Sequence, residues 1–446
     1  MRKRLESTKR LAKVGTAAVL VSGMLFALSG PLAAPTHAAS AEAVSDKNAS
    51  AADWGAFEVF REAVDGNDVF SVKDSIVIAA LDQGYVEALD DSVSGAGYTF
   101  NVKGVVRDSR SLTLLYTLTG EKASEAGLSR FSVKNGDRDL IDSQGLAHSV
   151  VVDGTVYGYA SFRLKASDSP VGTFSVTAPV YSRTLNPGYD PDSKLLTTLK
   201  LDVQSDPTRF ARHESRLATG QTLTVDGQRL TVTEAYVTPL RSYVKLTADE
   251  SNSKEIFRLT RAGLTLSKNG VEQTSRPQLG TSYRDGSDYV FQFPNESLLT
   301  DPDGIVFHAD GIEALGKDEL KLVVDTKKNK VVSSAIPGIA VTVEDVSKDV
   351  SKLTVKYRVD PKNYEDPQEL TSLLSLSFGF TDASGKQHER IEAPDGSGYG
   401  HSYAYGGSDE GVAVLYFKKG DYPQPLTLGI ESYPNLIGDA QDIVLK

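Results

Sequence analysis

The side chains best suited to acid, base or nucleophilic chemistry are thinly spread in this chain. There is no cysteine, which removes disulfides, thiolate metal sites and thiol nucleophiles together. The histidines His37, His148, His213, His308, His388 and His401 stand singly, without the H-x-x-x-H or H-E-x-x-H spacing that sets two imidazoles on one metal. No G-x-S-x-G elbow, phosphate loop or dinucleotide glycine signature is present. No catalytic, cofactor-binding or metal-binding residues are therefore assigned. Calcium is weighed for three acidic loops, Asn186-Pro-Gly-Tyr-Asp-Pro-Asp192, Asp301-Pro-Asp-Gly304 and Ser408-Asp-Glu410, because carboxylates in exported loops supply hard oxygens. None has EF-hand spacing, and Asp, Pro and Gly are ordinary turn formers, so the turn reading is preferred. The acidic run at 87–91 reads as a solvated helix face. The strongest contact chemistry lies in Tyr399-Gly-His-Ser-Tyr-Ala-Tyr-Gly-Gly407, where Tyr399, His401, Tyr403 and Tyr405 alternate with small residues. Tyrosine with glycine and serine makes adaptable contact loops. The same alternation fits an edge strand with cross-strand tyrosine pairs.

The elements that must carry these residues come from one pattern that occurs three times. Residues 100–118, 230–248 and 341–359 each read as an alternating strand, a polar turn and a second alternating strand. Apolar positions coincide at Val102, Val232 and Val343, and again at Leu114/Tyr116, Val244/Leu246 and Val355/Tyr357. A strand running into a Gly turn follows each copy, at Gly136, Gly270 and Gly385, and then an aromatic strand at 156–164, 289–293 and 412–417. The closing segments 199–203, 320–324 and 442–446 match as well. The marked valines are 130 and 111 residues apart, a domain-sized interval. The expected fold is mainly β: three tandem immunoglobulin-like sandwiches, the first with short N-terminal helices.

The N-terminus speaks to compartment. Six basic residues up to Lys13 precede an uncharged stretch at 14–38 with an apolar heart and a small-residue exit, the layout of a secretory signal peptide cut near Ala38 or Ala39. An uncleaved anchor is the competing reading, since the run is long enough to span a bilayer. Both readings place the remainder outside the membrane, extracellular or attached to the cell envelope. Loss of the leader removes six of 48 basic and one of 59 acidic side chains, leaving a net charge of −16. Such a chain is a poor nucleic-acid binder.

The expected divisions are a leader at 1–38, a flexible spacer at 39–53, a first domain at 54–205, a second at 206–327 and a third at 328–446. Residues 52–64 place Trp54, Phe57, Phe60 or Ala63, and Val64 near one helical face, capped by Ser50. Residues 74–81 are ambiguous between helix and strand, and 85–89 lean helical.

The residues Gly55-Ala-Phe-Glu-Val-Phe60, the stretch from Tyr85 to Asp108 and the Leu112-Thr-Leu-Leu-Tyr-Thr-Leu118 strand resemble an uncharacterised extracytoplasmic domain of Firmicute membrane proteins of the anti-sigma-factor type. The stretch from Gly220 to about Asp325 resembles the immunoglobulin-like domain of unknown function that commonly follows it. The resemblance implies an envelope sensory or interaction module without agreed catalytic residues. Only about 13 residues precede the apolar run here, too few to fold, so binding of a sigma factor does not carry over. The expected function is thus a non-enzymatic, multi-domain envelope module with no cofactor, whose partner is an envelope protein or wall component and which meets the membrane only through its N-terminal segment. The alternative is an exported polysaccharide-active hydrolase, which needs two carboxylates at a set separation.

Overall fold

The computed structural model describes Trp54, Phe57, Val59, Phe60 and most of residues 75–446. The expected leader and spacer and the segments 166–171, 185–191, 278–281, 296–301, 360–372 and 405–408 lie outside the described residues. The chain is mainly β and forms three pairs of antiparallel sheets, as the repeated hairpins predict. Among the described residues these fall into two compact units. The larger holds the chain up to Asn252, then 258–312 and 438–446; the smaller holds 253–257 and 313–437.

The larger unit contains two sandwiches. In the first, one sheet runs Glu87–Gly95, Tyr98–Arg107, Ser111–Thr119, Thr155–Leu164 and Ile141–Val152; the facing sheet is built on Thr173–Ser182 and Leu195–Gln204. Strand Ser111–Thr119 is buried at every position but its last, because both of its faces are covered. Leu112, Leu114, Tyr116 and Leu118 enter the core between the sheets, while Leu115 packs outward with Val106 and Tyr159 against Phe57, Phe60 and Val77. The lead-in residues therefore close the outer face of a sheet whose alternation would otherwise leave it wet.

Two expectations in this region change. Residues 74–81, ambiguous in sequence, form the helix Ser75–Asp82. Residues 85–89 and the acidic run at 87–91 are not helical: Glu87–Gly95 is a strand with alternating exposure, paired to Tyr98–Arg107. The reason lies beyond the segment. Ala96 and Gly97 take positive φ of 52° and 81° and close a tight hairpin, and pairing to the apolar neighbour outweighs local helix propensity. Phe57, Val59 and Phe60 lie in a 3-10 turn; the rest of the expected helix there lies outside the described residues.

The internal repeat shows itself most clearly at one cross-strand position. Tyr116 stands opposite Gly158 and Tyr357 opposite Gly411, whereas the matching pair of the second copy is Leu246 opposite Tyr289. A Cβ on Gly158 would lie 2.2 Å from the Tyr116 ring, and one on Gly411 would lie 2.3 Å from the Tyr357 ring. A tyrosine on one strand thus requires glycine on its neighbour, and a leucine leaves room for a large partner. Gly411→Ala is expected to destabilise the smaller unit by about 1–3 kcal/mol through overpacking, measured by urea denaturation; an unchanged midpoint would refute the packing argument.

The second sandwich has a sheet ordered Ser215–Arg216, Gln228–Val237, Arg241–Ala248, Asp288–Pro294 and Tyr283–Asp285. Phe291 and Phe293 from this sheet meet Phe307 of the facing sheet with ring centroids 5.6 and 6.1 Å apart. That facing sheet takes Lys254–Thr260, Gly304–Gly316, Gly263–Lys268 and Val271–Ser275, and it is completed by Leu436–Val444. Leu445 N donates to Ile305 O at 2.8 Å and Ile305 N to Lys446 O at 3.0 Å. Conversely Lys321–Asp325, expected to close the second domain, pairs with Leu426–Ser432 in the smaller unit. By compactness the chain changes unit at 312/313 and returns at 437/438, where the sequence places a boundary at 327/328. Both closing segments carry the same alternation, and alternation says which face a strand buries, not which sheet edge it joins.

One ionic clasp ties down the returning strand. His308 shares its ring nitrogens between Asp442 and Asp310, each at 2.6 Å, and Arg261 holds Asp310 at 2.9 Å. Burial works against the imidazolium, but the hydrogen bonds to Asp442 and Asp310 outweigh it and raise its pKa. A His raised on folding contributes stability fully below its unfolded pKa of about 6.5 and loses it as pH rises through the folded value. Amide exchange in 438–446 is expected to quicken from about pH 6.5 upward, and His308→Gln is expected to flatten that dependence. An unchanged profile in the variant would remove His308 as the cause.

The smaller unit pairs the sheet Lys330–Ser333, Lys321–Asp325, Leu426–Ser432, Ser375–Thr381, Gln387–Glu389 with the sheet Ala340–Asp345, Val350–Arg358, Glu410–Lys418, Gly400–Ala404. Its core gathers Leu353, Val355, Tyr357, Leu415, Phe417 and Leu428. Burial pushes the Tyr357 phenol up to about 12, and its hydroxyl accepts the Leu374 amide at 3.0 Å.

Candidate functional site

The tyrosine-rich segment is an edge strand. Gly400–Ala404 pairs on one side with Glu410–Lys418 and ends the sheet. Gly400, at φ 139°, is required there, because a Cβ would lie 2.3 Å from the Val414 carbonyl oxygen. Its register sets His401 opposite Val414 and Tyr403 opposite Val412. Ser402, on the other face, reaches Leu374 O at 2.6 Å. His401 and Tyr403 consequently rise on the face turned away from the core, their rings stacked at 5.6 Å and 25°. Val412 and Val414 lie on that same face yet are buried.

The next strand contributes Lys356, paired with Glu410 at 2.9 Å, and Lys352, paired with Glu344. The result is a flat platform, aromatic at the edge, apolar in the middle and charged but neutralised beyond. Burial lowers the His401 pKa, so its imidazole is neutral at pH 7, and its Nδ1 is buried without a hydrogen-bond partner.

Of the four residues singled out from sequence, the structure brings together His401 and Tyr403. Tyr399 packs instead on Phe378, ring centroids 5.2 Å apart, each ring about half exposed at 49% and 48%. Tyr405 lies outside the described residues. Among the acidic loops weighed for calcium, Asp303 accepts the Asn269 amide at 2.7 Å and Glu410 holds Lys356. Among the described residues no group of three or more His, Asp or Glu side chains could hold a metal.

A second feature, inside the larger unit, was not singled out from sequence. Tyr236 and Tyr243 sit opposite one another on the outer face of the second sandwich's first sheet, stacked at 4.6 Å and 14°. Below them the turn after Tyr98–Arg107 is organised by Asp108. Its Oδ1 accepts from Arg110 N, Ser111 N and Ser111 Oγ at 2.8, 2.7 and 2.9 Å. Its Oδ2 accepts from Tyr243 Oη at 2.7 Å and Thr238 Oγ1 at 3.1 Å. One carboxylate thus closes a hairpin of the first sandwich and grips the second. Glu214 adds a bond from Ser109 N at 2.7 Å, and burial, then Asp108, raise its pKa. Burial and Asp108 likewise push both tyrosine phenols far above their ordinary value.

Beside this joint a cleft of about 160 Å³ opens between the tyrosine face and Arg110 and Arg163 of the first sandwich. Arg110 pairs with Glu234 at 2.7 Å, Lys245 with Asp288 at 3.4 Å, and Arg163 with Asp142 at 2.5 Å while lying 3.7 Å over the Tyr283 ring. The sequence carried this signal at Tyr243 alone, whose parity is opposite to that of core Val244 and Leu246; Tyr236 shares the parity of core Val232 and is turned outward by the register shift between Val232 and Glu234.

No family model matches the chain, and no curated protein matches it. Among solved structures it is similar to a conserved domain protein from Bacillus anthracis, with 12% identity and a TM-score of 0.36 over 56% of this chain and 84% of that one. Among the described residues no helix is long and apolar enough to cross a membrane.

Proposed function

We propose that this chain is a non-enzymatic, exported cell-envelope module that works by presenting binding surfaces, the leading one being the His401–Tyr403 platform. The single observation that carries the reading is the pair of stacked rings over buried Val412 and Val414 on an outward sheet face. Aromatic rings held rigid over apolar side chains offer contact area at low entropic cost. The leader-like N-terminus, the acidic mature chain and the resemblance to ectodomains of anti-sigma-type membrane proteins support the envelope as its place. Against a hydrolase stand the carboxylates of the cleft, since Glu234 and Asp288 are each bound to a cation rather than facing one another across a groove.

The double variant His401→Ala/Tyr403→Ala is expected to lose ~2 kcal/mol or more of affinity for isolated cell envelopes, with the circular dichroism and melting of the parent chain. Retention equal to wild type would discard the platform as the binding surface. Turnover of wall polysaccharide by the purified protein would overturn the non-enzymatic reading.

A further inference from the structure

The cleft of the larger unit has no part in that platform, and its chemistry points to a ligand of its own. Its charges balance, with Arg110, Arg163 and Lys245 against Glu234, Asp285 and Asp288. Most are already joined as donor and acceptor. A polyanion entering here would meet three carboxylates along with the three cations. A hydrocarbon would strand buried polar groups. A neutral polyol meets neither obstacle, because each hydroxyl both donates and accepts and can bridge an Arg–carboxylate or Lys–carboxylate pair without disturbing its charge balance.

One buried group is left for such a ligand. Tyr236 is only 6% exposed and lines the cleft, yet its hydroxyl, beside Arg110 and Ser109, makes no hydrogen bond of ordinary geometry. A buried hydroxyl without a partner costs free energy that an incoming acceptor or donor recovers. Its ring is held by the stack on Tyr243, so binding orders nothing further there. The Tyr283 ring, pinned by Arg163, stands as a second rigid wall. At about 160 Å³ the space suits one small ring and is below the range of clefts that take drug-sized ligands.

We propose that this cleft binds a single neutral pyranose unit, held by the Tyr236 hydroxyl and by the Arg110–Glu234 and Lys245–Asp288 pairs. The unit is the end of a glycan or a free monosaccharide; the two share the same ring chemistry. The site is independent of the His401–Tyr403 platform, so either can fail alone.

Saturation-transfer NMR on the full chain with glucose, galactose and N-acetylglucosamine tests this, each also as its methyl glycoside to mimic a glycan end. Transfer from at least one of them is expected. Preference for the glycoside identifies a glycan end as the source, and preference for the free sugar a monosaccharide. Tyr236→Phe preserves the ring stack and is expected to weaken binding about tenfold, or ~1.4 kcal/mol. Asp285→Asn, at an exposed hairpin position, is a second variant expected to weaken it should the first prove misfolded. Absence of transfer from every sugar, affinity unchanged in both variants, or binding of inorganic phosphate in place of the sugars would each overturn the assignment.

Discussion

Replacing Asp108 by alanine is expected to destabilise the larger unit by about 3–5 kcal/mol, the range for breaking a buried charged network. Asp108 is 2% exposed. Its removal strands two backbone amides and the hydroxyls of Ser111 and Tyr243 that now point at one carboxylate, and leaves Thr238 only the Arg241 carbonyl as acceptor. It also leaves the buried Arg107 guanidinium, whose pKa burial lowers and nearby Glu87 and Asp108 raise, with less compensating charge. Trp54 is the sole tryptophan; it lies against Gly104, where a Cβ would be 2.7 Å from its ring, so its fluorescence reports on the first sandwich. The transition seen by Trp54 is expected to move to lower urea in Asp108→Ala. Asp108→Asn should fall between, since an amide keeps the hairpin-closing acceptor but cannot accept from Tyr243 on its NH2 side. A wild-type midpoint in the alanine variant would show that Asp108 is not the joint.

The second large effect concerns the returning strand. A chain ending at Ile437 is expected to lose the cooperative unfolding of the second sandwich. It lacks residues 438–446, most of the strand Leu436–Val444 beside Gly304–Gly316, with buried Ile443 and Leu445. Leu445→Ala alone should cost about 2–4 kcal/mol, as for a fully buried leucine. The isolated fragment 206–327 should likewise show no cooperative transition. It is missing that strand and carries Lys321–Asp325 without its partner Leu426–Ser432. A sharp, two-state transition in the fragment would establish 327/328 as a true domain boundary.

Particular residues show how far the sequence could be read. The three hairpins were legible because their burial repeats every second residue, and period-two alternation survives whatever the strand packs against. The Tyr116–Gly158 and Tyr357–Gly411 pairs were present as residue types but not as contacts, since cross-strand register depends on a partner far along the chain. At 85–91 the local composition favours helix, and the hairpin at Ala96–Gly97 with its apolar neighbour decided otherwise. The tyrosines near 400 were legible as contact chemistry, and the sequence left loop and edge strand open. The positive φ at Gly400 and the pairing of Gly400–Ala404 select the strand and send Tyr399 to Phe378, away from His401 and Tyr403.

What the sequence by itself determined is the mainly-β class, the threefold repeat and the absence of any thiol chemistry, because these depend on composition and short-range period alone. Which closing strand completes which sandwich was decided only by tertiary structure: segments 320–324 and 442–446 have interchangeable alternation, and sheet edges differ only in three dimensions. The same holds for the cleft. Arg110, Arg163, Tyr236 and Tyr283 are separated by tens of residues and look like ordinary surface side chains one at a time. The grip of Asp108 on Tyr243 and Thr238, with the bond from Ser109 N to Glu214 and the Arg110–Glu234 pair, brings their two sandwiches close enough for charge, ring and unsatisfied hydroxyl to face one space.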